Sequence, residues 1–140
     1  MSLNFKLTKI VSFFKISIHN RNILVKYKKN QLLVSLLECF LREGFISGFF
    51  EKDGYIYIIL KYSSMGEPVM KNFKIFYKRP FEIHLSCKDL EGQKFYRNFV
   101  VAEGDKSAVF ILSTSKGIMT HKDAIKHGIG GKLLFSVKCY

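Results

Sequence analysis

Apolar positions along this chain fall into two periods, one helical and one extended. Leu7, Ile10, Val11 and Phe14 stand at i, i+3, i+4 and i+7, with Lys6, Lys9 and Lys15 off that stripe. The spacing predicts an amphipathic helix over about residues 4 to 18. Ile23-Leu24-Val25 reads as a short strand. Leu32, Leu33, Leu36, Leu37, Phe40 and Leu41 then repeat the helical period, with Asn30 as N-cap and Gly44 closing the end. After Gly44 the pattern shortens. Phe45 to Phe50 and Tyr55 to Tyr62 flank Lys52-Asp53-Gly54, a good hairpin signal. Met65-Gly66-Glu67-Pro68 is a second turn, Val69 to Tyr77 a further strand, and Phe81 to Leu85 an extended segment after Pro80.

The second half reads as short strands, at Phe95 to Val101, Val109 to Leu112 and Leu133 to Val137. One short helix lies between the last two. Thr120-His121-Lys122-Asp123 is an S/T-x-x-D/E cap, Gly128 can end the helix, and Gly130-Gly131 permits a tight backbone turn into the final strand. The predicted class is α+β, without internal repeats or a low-complexity linker.

Composition sharpens this picture. The chain has 140 residues and 48% hydrophobic content, enough for a core in one domain or two small lobes. Its 23 Lys and Arg against 11 Asp and Glu give a formal charge of +12, which implies an anionic partner. The charge sits at the ends. Lys6, Lys9, Lys15, Arg21, Lys26, Lys28 and Lys29 precede any acid, and from Ser107 onward the only acid is Asp123. Both ends are candidates for phosphate contact.

Between the apolar run Val109–Leu112 and the Thr120 cap lies Ser113-Thr114-Ser115-Lys116-Gly117. Three hydroxyls and a cation in one loop suit phosphate, sugar and base edges together, although a plain polar turn would look the same. Tyr55, Tyr57, Tyr62, Phe73, Phe76 and Tyr77 can stack on bases, but in alternating strands they more often form core or cross-strand pairs.

Other chemistries find little support. Cys39, Cys87 and Cys139 form no CxxC pair, and the four histidines show no metal spacing. Ser113 and Lys116 match the text of a Ser-x-x-Lys hydrolase motif, without its companion signatures. No GxxxxGK[ST] run is present. No apolar run reaches the length of a membrane span. The basic N-terminal helix is compatible with an anionic membrane surface, an acidic protein or a targeting peptide, but the strand and helix after it need a packing partner. Abundant Phe, Ile, Lys, Tyr and Asn match an AT-rich coding sequence.

The string Ile111-Leu112-Ser113-Thr114-Ser115-Lys116-Gly117-Ile118-Met119-Thr120, followed by Ala124 and Gly128-Ile129-Gly130-Gly131, resembles the C-terminal signature of the small-subunit ribosomal protein S-eight family. Glu43-Gly44-Phe45-Ile46 after a Leu-rich helix, and Leu60-Lys61-Tyr62 followed by Gly66-Glu67, resemble two further family segments. The resemblance spans nearly the whole chain. It implies two lobes, an N-terminal α-β-α-β-β lobe at residues 1–78 and a mainly β lobe with one short helix at residues 79–140. It implies a structural, non-catalytic protein, without cofactor, small-molecule substrate or membrane contact. Its partners would be the central domain of small-subunit ribosomal RNA and neighbouring ribosomal proteins.

By that resemblance, Ser113, Thr114 and Ser115 would hydrogen-bond RNA groups, Lys116 would add charge and Gly117 would allow close backbone approach. Gly130, Gly131, Lys132, Lys9, Lys26, Lys78 and Arg79 complete the expected RNA-facing set. Some positions depart from the family pattern. Lys132 stands where the family often carries an acid, a substitution that can supply a phosphate contact. Lys78-Arg79-Pro80-Phe81 lacks the family's turn glycine, and residues 91–107 form a longer polar connection. The chain ends in Lys138-Cys139-Tyr140. These departures suit a mitochondrial ribosomal protein.

Overall fold

The structure is a computed structural model and describes residues 3–76, 82–92 and 108–139. It is α+β, as the periodicity predicts, and divides into two compact units, Met1–Met70 and Lys71–Tyr140.

In the first unit, α1 (Leu3–His19) buries the stripe Leu7, Ile10, Val11 and Phe14. That burial makes the stripe part of the core, while Phe5 and Ile16 stay exposed. β1 (Leu24–Lys28) follows, then α2 (Gln31–Arg42). Asn30 caps α2, its side-chain oxygen accepting from the Leu33 amide at 2.7 Å. At the other end Gly44 takes φ +76°, and the Phe45 amide returns to the Phe40 carbonyl, which stops the helix and turns the chain. Phe40 packs edge-on to Phe14 at 5.6 Å and lies 5.7 Å from Phe45, so the two helices and the start of the next strand share one aromatic core.

β2 (Ile46–Lys52) and β3 (Tyr55–Leu60) form the expected hairpin. Asp53 and Gly54 both have positive φ, the backbone a two-residue turn between twisted strands requires. The sheet order is β1-β3-β2, all antiparallel. Ile56, Ile58 and Leu60 point to the core, and their neighbours Tyr55, Tyr57 and Ile59 point away from it.

In the second unit, β4 (Met70–Ile75) and β5 (His84–Leu85) pair with the same side of the last strand, β8 (Gly131–Cys139). On its other side β8 pairs with β6 (Ala108–Thr114), which pairs with β7 (Gly117–Thr120). β7 is a strand the sequence reading took for loop and helix start. Two short helices, α3 (Cys87–Glu91) and α4 (His121–His127), pack on a core of Leu90, Ala108, Phe110, Leu112, Met119, Ala124 and Leu133. Thr120 caps α4 by accepting from the Asp123 amide, and Gly128 ends it with φ +67°. The sequence reading missed α3, although Ser86-Cys87-Lys88-Asp89 carries the same capping signal as Thr120–Asp123. Ser86 accepts from the Asp89 amide and the Asp89 carboxylate accepts from the Ser86 amide, a complete capping box. The expected strand at Phe95–Val101, the Pro80 turn and most of the 91–107 connection lie outside the described residues.

His121 opens α4 where β7 ends. Its Nδ1 accepts a hydrogen bond from the Phe110 amide at 3.2 Å, so an imidazole nitrogen extends the β6 ladder beyond the last β7 carbonyl. Burial, aided by the neighbouring Lys122 charge, pushes the His121 pKa down to about 4. The ring is therefore neutral at pH 7, as an acceptor nitrogen requires.

Candidate nucleic-acid interface

The segment Ser113–Gly117 is a tight hairpin tip rather than an open loop. Ser113 and Thr114 are the last residues of β6, Ser115 and Lys116 form the turn, and Gly117 begins β7 opposite Thr114. The left-handed residue is Gly117, at φ +109°, while Ser115 and Lys116 keep negative φ. An L side chain at Gly117 would be strained by that torsion alone. No protein atom stands within 4 Å of where its Cβ would be, so the backbone here faces open space.

The three hydroxyls have different fates. Thr114 Oγ1 donates to the Gly117 carbonyl at 2.7 Å and accepts from the Lys116 amide at 3.2 Å. Thr114 therefore clips the turn shut, and its hydrogen atom is used internally. Ser113 is half-buried and Ser115 exposed, and among the described residues neither hydroxyl has a protein partner. Lys116 is exposed beside them.

Gly130 and Gly131 meet this tip from β8. Gly131 pairs with Thr114 on one side and Leu85 on the other. Neither glycine has positive φ, so neither supplies a left-handed torsion to the turn into β8. They are needed for space. A Cβ on Gly130 would lie 2.1 Å from the Leu85 carbonyl oxygen, and one on Gly131 would lie 2.4 Å from that of Ser113. Both obstacles are backbone atoms that a side-chain rotation cannot relieve. The two glycines thus let β5, β6 and β8 converge behind the hairpin tip.

Lys132 follows on β8, opposite Ser113 and His84. It is only 17% exposed, and its Nζ donates to Glu82 Oε1 at 3.1 Å. The other Glu82 oxygen lies 3.7 Å from His84 Nε2. The charge at Lys132 is therefore engaged within the protein, which lowers what it can offer to a phosphate.

The structure brings Ser113–Gly117, Gly130, Gly131 and Lys132 to one sheet rim. Lys9 and Lys26 belong to the first unit, exposed on α1 and β1, each with its ammonium over an aromatic ring: Phe5 at 4.6 Å and Tyr55 at 5.1 Å. Lys78 and Arg79 lie outside the described residues. Among the described residues no group of His, Cys, Asp and Glu is arranged to hold a metal ion, and no helix is long and apolar enough to cross a membrane.

A basic α+β chain with a sheet rim of hydroxyls, glycines and lysine belongs to the ribosomal proteins on comparison with known sequences. The family model for "Ribosomal protein S8" matches residues 7–138. The small ribosomal subunit protein uS8 of Ehrlichia chaffeensis is 33% identical over 123 residues, covering 84% of this chain and 83% of its own length. The small ribosomal subunit protein uS8m of Acanthamoeba castellanii is 30% identical over 132 residues, covering 94% of this chain and 97% of its own. The uS8 of Orientia tsutsugamushi, strain Boryong, is 29% identical over 142 residues, covering 98% and 99%. The chain belongs to the ribosomal protein S8 family, whose members are structural proteins of the small ribosomal subunit and not enzymes.

Proposed function

We propose that this protein binds the central domain of small-subunit ribosomal RNA, supports assembly of the subunit there, and does so in a mitochondrial ribosome. The observation that carries the reading is the state of the hairpin tip. Ser113 and Ser115 present hydroxyls without a partner among the described residues, next to Lys116, on a turn that Thr114 holds closed and the glycines brace. Irregular RNA is recognised through short-range contacts to sugar, phosphate and unstacked bases, which calls for small polar groups on a firm support.

Residues 79–140 are the lobe that reads the RNA, and residues 1–78 form the other lobe. Ser113, Ser115 and Lys116 make the polar contacts, with Gly117 giving the RNA backbone room. Thr114, Gly130 and Gly131 position them. Lys9, Lys26, Lys78 and Arg79 add phosphate contacts, and Lys132 contributes only as far as Glu82 releases it. The uS8m relative and the chain's departures from the bacterial pattern support the mitochondrial setting.

The test is a pair of variants against a central-domain RNA fragment. S113A/S115A should lose on the order of 30-fold or more in affinity for the cognate fragment, as RNA groups buried in the contact lose their partners. Binding to a scrambled fragment should hardly change. K9Q/K26Q should weaken binding to both fragments alike and reduce the salt slope. An S113A/S115A protein that binds and discriminates as the wild type does would remove the hairpin from the interface.

A further inference from the structure

The outward face of the three-stranded sheet carries an arrangement that the hairpin reading does not use. By register, three rows cross it from β1 through β3 to β2: Leu24–Ile59–Gly48, Lys26–Tyr57–Phe50 and Lys28–Tyr55–Lys52. Phe50 is 46% and Tyr55 42% exposed. The Phe50 and Tyr57 rings are stacked, 8° from parallel with centroids 5.2 Å apart. Lys26 holds its ammonium over Tyr55. Those nine positions include three lysines and no acid. Glu51 alternates to the other face and pairs with Lys29 at 2.9 Å, and Asp53 sits in the turn at the sheet's end.

Such a face is costly to leave in water, and its chemistry narrows the occupant. An acidic protein would answer the lysines but has no general use for flat rings in a row. A lipid surface would want aliphatic bulk at the tip of an element, not stacked rings in a sheet centre. A nucleic-acid strand matches both parts, because bases stack on aromatic rings while lysines track the phosphates. A duplex keeps its bases stacked on one another and cannot use the rings. We infer that the outer face of the β1-β3-β2 sheet is a second RNA site, taking an unpaired stretch on Phe50, Tyr57 and Tyr55 with Lys26, Lys28 and Lys52 on its backbone.

This site rests on the proposed function's premise that the chain meets RNA and shares Lys26 with it, and it is separable by substrate. The probe is a fluorescein-labelled, mixed-sequence single-stranded RNA of about ten nucleotides, a length within the site sizes of sheet-face binders. The control is the same strand annealed into a duplex. The full chain should prefer the single strand. Because the chain has no tryptophan and seven tyrosines, stacking should also quench tyrosine emission. F50T/Y57T should weaken single-strand binding about tenfold or more. F50L/Y57L should do the same, since it keeps apolar bulk and the fold while removing the ring faces. S113A/S115A should bind the single strand as the wild type does.

Wild-type affinity in the folded F50L/Y57L protein would overturn the inference and reassign the face to apolar docking of a protein. Equal affinity of the wild type for single strand and duplex would overturn it too. Neither result would touch the hairpin, which the structured fragment tests by itself.

Discussion

Two surfaces of this molecule, the β6–β7 rim and the outer face of the β1-β3-β2 sheet, are built from opposite materials. The rim's exposed tip is small groups: serine hydroxyls, Lys116 and glycine backbone, braced by Thr114 and by strands at contact distance. The sheet face is large groups: three rings and three lysines. Short side chains on a rigid turn have little freedom and reach only a partner of matching shape, so they discriminate. Rings and long lysines accept any base and any phosphate, so they add affinity without reading sequence. The difference shows why polar residues at a tight turn carry more information about a partner than a larger charged surface does.

The largest effect should come from filling the space behind the rim. G131A places a Cβ against the Ser113 carbonyl and should cost about 3 kcal/mol, the upper range for overpacking, measured by urea denaturation. An alanine on the sheet face at Gly48, where no atom lies within 4 Å of the Cβ position, should shift stability by less than about 0.5 kcal/mol. Equal costs for the two would deny that the rim is the tightly built region.

Acid should act on the rim's own strand next. His121 has its folded pKa lowered to about 4 against 6.5 in the unfolded chain. The unfolded state therefore binds the extra proton first as pH falls. The contribution is fully present above about pH 6.5 and is lost as pH drops towards 4, amounting to roughly 3 kcal/mol at most. Denaturation midpoints across that range should show the slope in the wild type and a shallower one in H121Q, which can accept from Phe110 without titrating. A wild-type curve as flat as that of H121Q would mean the imidazole is not held neutral.

Within the rim, the hydroxyls should separate by role. T114V should lose about 1 kcal/mol of stability with the two hydrogen bonds that clip the turn, and T114S should restore most of it. S113A and S115A should leave stability within about 0.5 kcal/mol and affect binding alone. Stability losses of equal size at all three would make them one structural cluster. The smallest effect is expected at Glu82. E82Q releases Lys132 and should steepen the salt dependence of RNA binding by up to about one phosphate contact. An unchanged slope would keep Lys132 a purely structural partner.

Much of this fold is legible in the sequence because the relevant signals are local. The α1 stripe, the Asn30 and Thr120 caps, the Gly44 and Gly128 stops and the Asp53-Gly54 turn each depend on residues a few positions apart. α3 carries a local cap in Ser86 and Asp89, but its five residues are too few to show a helical period. The roles inside the rim were not legible. That Thr114 closes on Gly117 depends on β7 being a strand, and four residues before a helix cap do not announce one. That Gly130 and Gly131 supply space rather than torsion depends on Leu85 and Ser113 arriving from distant parts of the chain. Lys132 reads as a free cation until Glu82, fifty positions away, is brought beside it.

The measurement that bears most directly on the account is the affinity of the intact protein for a central-domain RNA fragment and for a scrambled one, across a salt series, with S113A/S115A alongside. The account predicts a preference for the cognate fragment that persists at high salt in the wild type and collapses in the variant, while the salt slopes of the two proteins match. Equal, steeply salt-sensitive binding of both fragments by the wild type would contradict it, and would leave the chain's charge as the sole source of its attraction to RNA.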